Sequence, residues 1–221
     1  MEYQCIRIDK SDPQILALAL KYKQLRLAAL QHSPDAFSST LELESSFSDD
    51  VWVSRICDPS KETFVCCAGA PSCPLESEWV GQVTLLGPVS SGAYRLPADA
   101  GQPPVPEDGE EEKWQMLSLY TLPAHRGHGL GKLLCREAFG FLAAVPRGPG
   151  RVRVRIMVKP ENTVTLGLYR SMGFVDAGKC TLEEALRANG DADMLPAGML
   201  PDKYTARSGV IMAMALERRP N

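Results

Sequence analysis

The stretch "AHRGHGLGKLL", Ala124 to Leu134, places three glycines within five residues, directly ahead of an apolar run. A glycine inside a helix costs about 0.8–1.0 kcal/mol relative to alanine, so glycines gathered where a helix begins leave room beside the backbone for something else. Upstream, "WQMLSLYTL" is strand-like and ends at Pro123; downstream, Leu130, Leu133, Leu134, Ala138, Phe141 and Leu142 keep helical spacing. Strand, glycine-rich turn and amphipathic helix form the arrangement in which exposed N–H groups and the positive helix end face an anion. Two phosphate-binding motifs fail on this stretch. A P-loop requires Gly, four residues, then Gly-Lys-Ser/Thr, but Leu133 follows Gly131-Lys132 and Arg126 stands five before Gly131. A dinucleotide fingerprint, G-x-G-x-x-G, would need glycine where Lys132 or Leu134 stands.

The rest of the chain alternates elements around this unit. "YQCIRI" predicts a strand, and a helix opened by Ser11 or Asp12, with Pro13 in its first turn, buries Ile15, Leu18, Tyr22, Leu25 and Ala29. "QHSPDAFSSTLELESSF" is a loop with helical pieces, and "SDDVWVSRICD" offers an N-cap and a short helix carrying Trp52 and Ile56. "TFVCCAGA" and "WVGQVTLLG" predict an antiparallel pair. Residues 87–113, rich in Pro, Gly and acid, predict a long exposed loop. "RVRVRIMV" alternates Arg with Val and Ile, as a strand with one wet face does. A helix then runs from near Asn162 to Gly173, followed by strand "FVDAG", helical "TLEEALRAN" and the closing strand "GVIMAMALE". The expected fold is α/β (α+β): a mixed, mostly antiparallel central sheet with helices on both faces.

Composition removes several classes. With 221 residues the chain is expected to form one domain, 1–221, with insertions at 87–113 and 179–208. Its 24 basic and 27 acidic side chains give a net charge of −3, without the basic excess of a nucleic-acid binder. The polar start "MEYQCIRIDKSD" and the absence of an apolar run of ~18 residues predict no secretory leader and no membrane span. A soluble, cytoplasmic protein is expected, the nucleus left open. The seven cysteines, Cys5, Cys57, Cys66, Cys67, Cys73, Cys135 and Cys180, are odd in number and form no Cys-x-x-Cys pair; His32, His125 and His128 have no zinc-type spacing to them. Reduced, mostly buried thiols and no metal are expected.

"RGHGLG", Arg126 to Gly131, is R-x-x-G-x-G, and "VKPENTVTLGLYRSMGF" follows with Val158, Asn162, Leu168, Tyr169, Gly173 and Phe174 in register with V-x-x-x-N-x-x-A-x-x-L-Y-x-x-x-G-F. In both blocks, their order and their separation, the chain resembles the GNAT superfamily of acyl-CoA N-acyltransferases. Thr165 stands where alanine is common. The resemblance is close over Trp114 to Gly178 and looser in the flanks.

That resemblance implies acetyl-CoA as cosubstrate and an amine as acceptor, a small molecule or a protein, with no nucleic acid or membrane partner. Backbone groups of Leu119, Tyr120 and Thr121 would hold the pantetheine arm. Arg126, Gly127, His128, Gly129, Leu130, Gly131 and Lys132 would hold the pyrophosphate, and Asn162 would meet the cofactor while capping its helix. Tyr169 would meet it too and protonate the leaving thiolate. Phe37, in "DAFSST", falls where family members wall the acceptor pocket. No acid stands on "WQMLSLY", where the best-known family carboxylate sits; Glu78 and Glu110 to Glu112 are the nearby candidates for the base. Two alternatives stay open, a CoA-binding sensor without turnover and an O-acetyltransferase. Acceptor, acyl length and oligomeric state, a homodimer included, are likewise open.

Overall fold

The computed structural model describes residues 2–69, 74–145 and 148–218. In chain order its elements are β1 (Tyr3–Arg7), α1 (Ile15–His32), α2 (Leu41–Ser45), α3 (Asp49–Cys57), β2 (Lys61–Ala68), β3 (Glu78–Leu86), α4 (Ser91–Tyr94), β4 (Glu112–Thr121), α5 (Leu130–Ala144), β5 (Arg151–Val158), α6 (Thr163–Arg170), β6 (Val175–Cys180), α7 (Leu182–Ala188), α8 (Asp202–Thr205) and β7 (Gly209–Glu217). The chain divides into two compact units, one of residues 1–85 and 118–140, the other of 86–117 and 141–221.

In the first unit β1 pairs antiparallel with β2, β3 lies next to β2, and the end of β4 next to β3. The apolar stripe read from the sequence packs here. Leu18, Tyr22, Leu25 and Ala29 of α1 are buried against Trp52 and Ile56 of α3 and Val65 and Cys67 of β2, with Ile15 partly buried at the margin. Full burial of a large apolar side chain is worth about 1.5–3 kcal/mol, so this seam is what holds two amphipathic helices on the strands. Ser48 caps α3 by accepting the Val51 N–H. α1 starts later than expected. The Asp12 side chain accepts the Gln14 N–H at 2.7 Å and its carbonyl accepts the Ile15 N–H at 3.0 Å. A short acidic side chain thus closes a turn ahead of the helix, and Pro13 stays outside it.

In the second unit the start of β4 pairs parallel with β5, Gln115 opposite Arg155. β5 pairs antiparallel with β7, and β7 with β6. Because β4 runs through both units, the strand order is β1-β2-β3-β4-β5-β7-β6, a mixed, mostly antiparallel sheet of seven strands.

Two expectations fail in the second unit, for one reason. Residues 87–113 are not an exposed loop throughout, and β5 has no uniformly wet face: Arg155 is 1% exposed and Tyr94 of α4 is 1% exposed. The Arg155 guanidinium lies 3.9 Å from the centroid of the Tyr94 ring, donates from Nη1 to the Tyr94 carbonyl at 2.7 Å and from Nε to the Gln115 Oε1 at 2.8 Å. Burial pushes the Tyr94 hydroxyl up to about 12 and pulls Arg155 below its ordinary value. The cation is accommodated by a ring face and two oxygens instead of water, and in doing so it anchors the loop. Gly178 of β6, at φ +115, receives the same loop; a Cβ there would stand 2.3 Å from the Ala100 carbonyl.

The acids of this segment are also tied down. Glu107 pairs with Arg95 at 2.5 Å, Asp108 with Lys113 at 3.0 Å, and Glu112 with Arg218 at 2.6 Å. Glu111, 1% exposed, is held by Arg153 and by Arg151.

Candidate functional site

The site is built from the end of β4. Ser118 adopts φ +60, a left-handed conformation that a non-glycine residue takes only at a cost of roughly 1–2 kcal/mol, and it kinks β4 before Leu119. Its neighbours hold the kink: Arg26 Nη1 donates to the Ser118 hydroxyl at 3.4 Å and Gln82 Nε2 to the Ser118 carbonyl at 3.5 Å. Leu119, Tyr120 and Thr121 continue beyond it, and the Leu122 N–H returns to the Val80 carbonyl at 2.8 Å.

A short 3-10 turn, Pro123–His125, then leads into the glycine stretch. Gly127 at φ +81 and Gly129 at φ +77 are both left-handed, and an added Cβ at either would meet nothing within 4 Å. The first helical bond of α5 runs from the Leu133 N–H to the Gly129 carbonyl at 3.1 Å. Gly129 is therefore the N-cap, and the N–H groups of Gly129, Leu130, Gly131 and Lys132 have no acceptor within the helix. Open space above two left-handed glycines, with helix-start amides and the positive helix end beside it, fits a pyrophosphate.

The polar side chains here are not all available to a ligand. Arg126 turns back onto the protein, with Nε on the Thr121 carbonyl at 3.2 Å and Nη2 on the Ser33 hydroxyl at 3.2 Å, its guanidinium 5.8 Å from the Tyr120 ring. It ties the end of β4 to the end of α1, which leaves its backbone for an anion. His128 is exposed and its Nδ1 lies 3.0 Å from the Arg126 carbonyl, so that nitrogen carries the proton and donates. Lys132 is half-buried.

Phe37 is half-buried at the edge of the core, its ring 6.1 Å from Tyr120 and 4.6 Å from the Arg26 guanidinium. Behind it lies a pair that the sequence did not disclose. Arg26 donates to both oxygens of the wholly buried Glu44, at 3.0 and 2.6 Å. Burial pushes the Glu44 carboxyl up, but the hydrogen bond and charge of Arg26 outweigh it and hold the group below the usual carboxylate range. That carboxylate is engaged and is not poised to accept a proton. Tyr120 was expected to contribute its backbone; its side chain is buried and its hydroxyl lies 3.2 Å from His32 Nδ1. Glu78, a candidate base, is exposed and 3.8 Å from His125 Nε2, while His125 Nδ1 shares a hydrogen bond with the Tyr3 hydroxyl at 3.1 Å. Tyr3 and His125, residues 3 and 125, carry no local signal that they meet.

Asn162 and Tyr169 lie in the second unit. Asn162 caps α6, its Oδ1 accepting the Thr165 N–H at 3.2 Å. Tyr169 is 4% exposed with its ring 5.2 Å from Phe174. Of the other candidate bases, Glu111 and Glu112 are consumed by the arginines already named. Among the described residues no group of three or more His, Cys, Asp or Glu could hold a metal ion, and no helix is long and apolar enough to cross a membrane. Cys73 lies outside the described residues; the other six cysteines are free, Cys66, Cys67, Cys135 and Cys180 buried.

A strand that kinks and then feeds a glycine turn at a helix start defines a class, and comparison with known proteins agrees with it. Residues 100–176 match the family model of the acetyltransferase (GNAT) domain. The chain is similar to Arabidopsis thaliana NAA60 in complex with a bisubstrate analogue, at 14% identity, covering 98% of this chain and 100% of that one, with a TM-score of 0.58. It is similar to a GNAT-family acetyltransferase of Streptococcus pneumoniae at 15% identity, 97% and 100% coverage and a TM-score of 0.58. The yncA protein of Salmonella typhimurium, solved with its cofactor acetyl-CoA, is 14% identical over 100% of this chain and 98% of that one, with a TM-score of 0.52. No curated protein sequence matches the chain. Residues 100–176, about a third of the chain, thus resemble the GNAT acetyltransferase domain, and the fold of the chain is that of the GNAT acetyltransferases.

Proposed function

We propose that the protein transfers an acetyl group from acetyl-CoA directly to a primary amine. The observation that carries this reading is the continuous path of backbone from the Ser118 kink to the start of α5: a strand end, two left-handed glycines over open space, and four helix-start amides. Leu119 to Thr121 hold the pantetheine arm in this reading, and a backbone N–H there steadies the oxyanion that forms as the amine adds to the thioester carbonyl. Gly127 to Lys132 hold the pyrophosphate. An amine of lysine type has a pKa of about 10.4 and must shed a proton before it attacks. The departing thiolate, from a thiol of pKa about 8.5, needs less help, and Tyr169 is the group proposed to supply its proton. Asn162 serves the cofactor from the cap of α6, and Phe37 lines the acceptor side.

The test is calorimetry of acetyl-CoA and CoA, followed by thiol release with a panel of polyamines, aminoglycosides and peptides bearing free amines. Micromolar binding with amine-dependent release supports transfer; absence of CoA binding overturns the reading. A second reading, CoA binding without turnover, is favoured by the state of the carboxylates. Glu44 is neutralised by Arg26, Glu111 and Glu112 by other arginines, and Glu78 is exposed beside His125. Tight CoA binding with no release for any amine or hydroxyl acceptor would select it. The single domain spanning 1–221, with its two insertions, and the cytoplasmic location belong to the same proposal.

A further inference from the structure

β1 and β2 set two thiols opposite one another. In their antiparallel register Cys5 faces Cys66. Two backbone hydrogen bonds fix which pairs of this ladder are bonded: Ile8 N–H to the Thr63 carbonyl at 2.9 Å and Gly69 N–H to the Glu2 carbonyl at 2.8 Å. Pairs at even positions of β1 therefore exchange backbone bonds and pairs at odd positions do not. Cys5–Cys66 is a non-hydrogen-bonded pair, the kind whose Cα atoms approach to about 4.5 Å with side chains close together on one face. A disulfide spans Cα separations of about 4.4–6.8 Å, so bridging this pair needs no shift of either strand. Cys67 points to the other face, where its register partner is Gln4.

We propose that Cys5 and Cys66 are a thiol–disulfide pair, a modification site at which peroxide closes a reversible bridge between β1 and β2. The thiolate of the pair attacks one peroxide oxygen, giving a sulfenic acid and hydroxide. The second thiol then attacks that sulfur, the S–S bond forms and water leaves. Two thiols and one hydrogen peroxide thus give one disulfide and two waters, the sulfurs losing the two electrons that the peroxide gains. The Cys5 thiol donates to Cys66, which pushes Cys5 up and draws Cys66 below the ordinary thiol value; the pair is thereby eased toward losing its first proton. Cys66 is wholly buried and Cys5 only partly so, so a small oxidant reaches the pair from the Cys5 side. β1 is the first strand of the sheet, and an edge strand held by one ladder is the element a covalent tie most constrains. Two residues from Cys5, Tyr3 holds His125 in the turn before the glycine stretch, so the bridge also fixes that strut.

The test treats the intact protein with hydrogen peroxide at neutral pH, blocks remaining thiols and maps non-reduced peptides by mass spectrometry. The expected product is a linked peptide pair joining Cys5 to Cys66, with the loss of two hydrogens, reopened by dithiothreitol. It should form equally in Cys67→Ala and be absent in Cys5→Ala, a substitution at a partly exposed position that keeps the fold measurable should Cys66→Ala not fold. A Cys66–Cys67 bridge, oxygenated cysteines without a bridge, or unreacted thiols after excess peroxide would each overturn the proposal.

Discussion

Substituting Gly129 by alanine separates what the backbone of the glycine stretch does for the fold from what it does for a ligand. Gly129 at φ +77 and Gly101 at φ +65 share a left-handed conformation, and an added Cβ at either meets nothing within 4 Å. A side chain in that region costs roughly 1–2 kcal/mol, so both alanine variants should lose similar stability, about 2–4 °C in Tm per kcal/mol for a protein of this size. Ligand binding should part them. A phosphate on helix-start amides makes charge-assisted hydrogen bonds worth about 1.5–3 kcal/mol each, and a methyl on Gly129 lifts it from at least one. With about 1.4 kcal/mol per tenfold, CoA affinity should fall roughly 10- to 100-fold in Gly129→Ala and stay unchanged in Gly101→Ala. Titration calorimetry with CoA, on proteins shown to be folded by circular dichroism, reads both. Equal Kd values for the two variants would refute the assignment of the pyrophosphate to this loop.

Tyr169→Phe should lower kcat by up to ~10²-fold, at the low end for general acid help, with acetyl-CoA Kd and Tm near wild type; thiol release by stopped flow checks it, and an unchanged kcat leaves Tyr169 as packing against Phe174. Glu44, held below the usual carboxylate range by Arg26, contributes stability that is present above its unfolded pKa of about 4.3 and lost as pH falls through the folded value. Arg26→Met should strand the carboxylate at a cost of about 3–5 kcal/mol at pH 7, and its stability should then rise as pH falls toward 5, a range over which the wild-type Glu44 contribution stays flat in urea titrations. Glu111→Gln should destabilise by about 1.5–3 kcal/mol by taking from the half-buried Arg153 its charged acceptor, while Arg151 keeps Glu217, measurable by urea unfolding. Glu110→Gln, at an exposed position, should leave acceptor KM unchanged at every ionic strength, since most acids around it are already paired.

Local pattern carried the elements and the anion-binding turn. The α1 stripe, the Ser48 and Asn162 caps, the strand before Pro123 and the left-handed glycines at 127 and 129 all follow from preferences spanning a few residues, which a sequence displays directly. The partners of the polar groups do not. Arg26 with Glu44, Tyr120 with His32, Arg126 with Ser33 and Tyr3 with His125 join positions 18 to 122 residues apart, and Cys5 meets Cys66 through strand register. Arg155 shows why: alternation told which residues of β5 share a face, and on that evidence the arginine face looked wet. Only tertiary structure brought Tyr94 and Gln115 over it and removed the water, because periodicity states the direction a side chain takes and says nothing of what arrives to cover it.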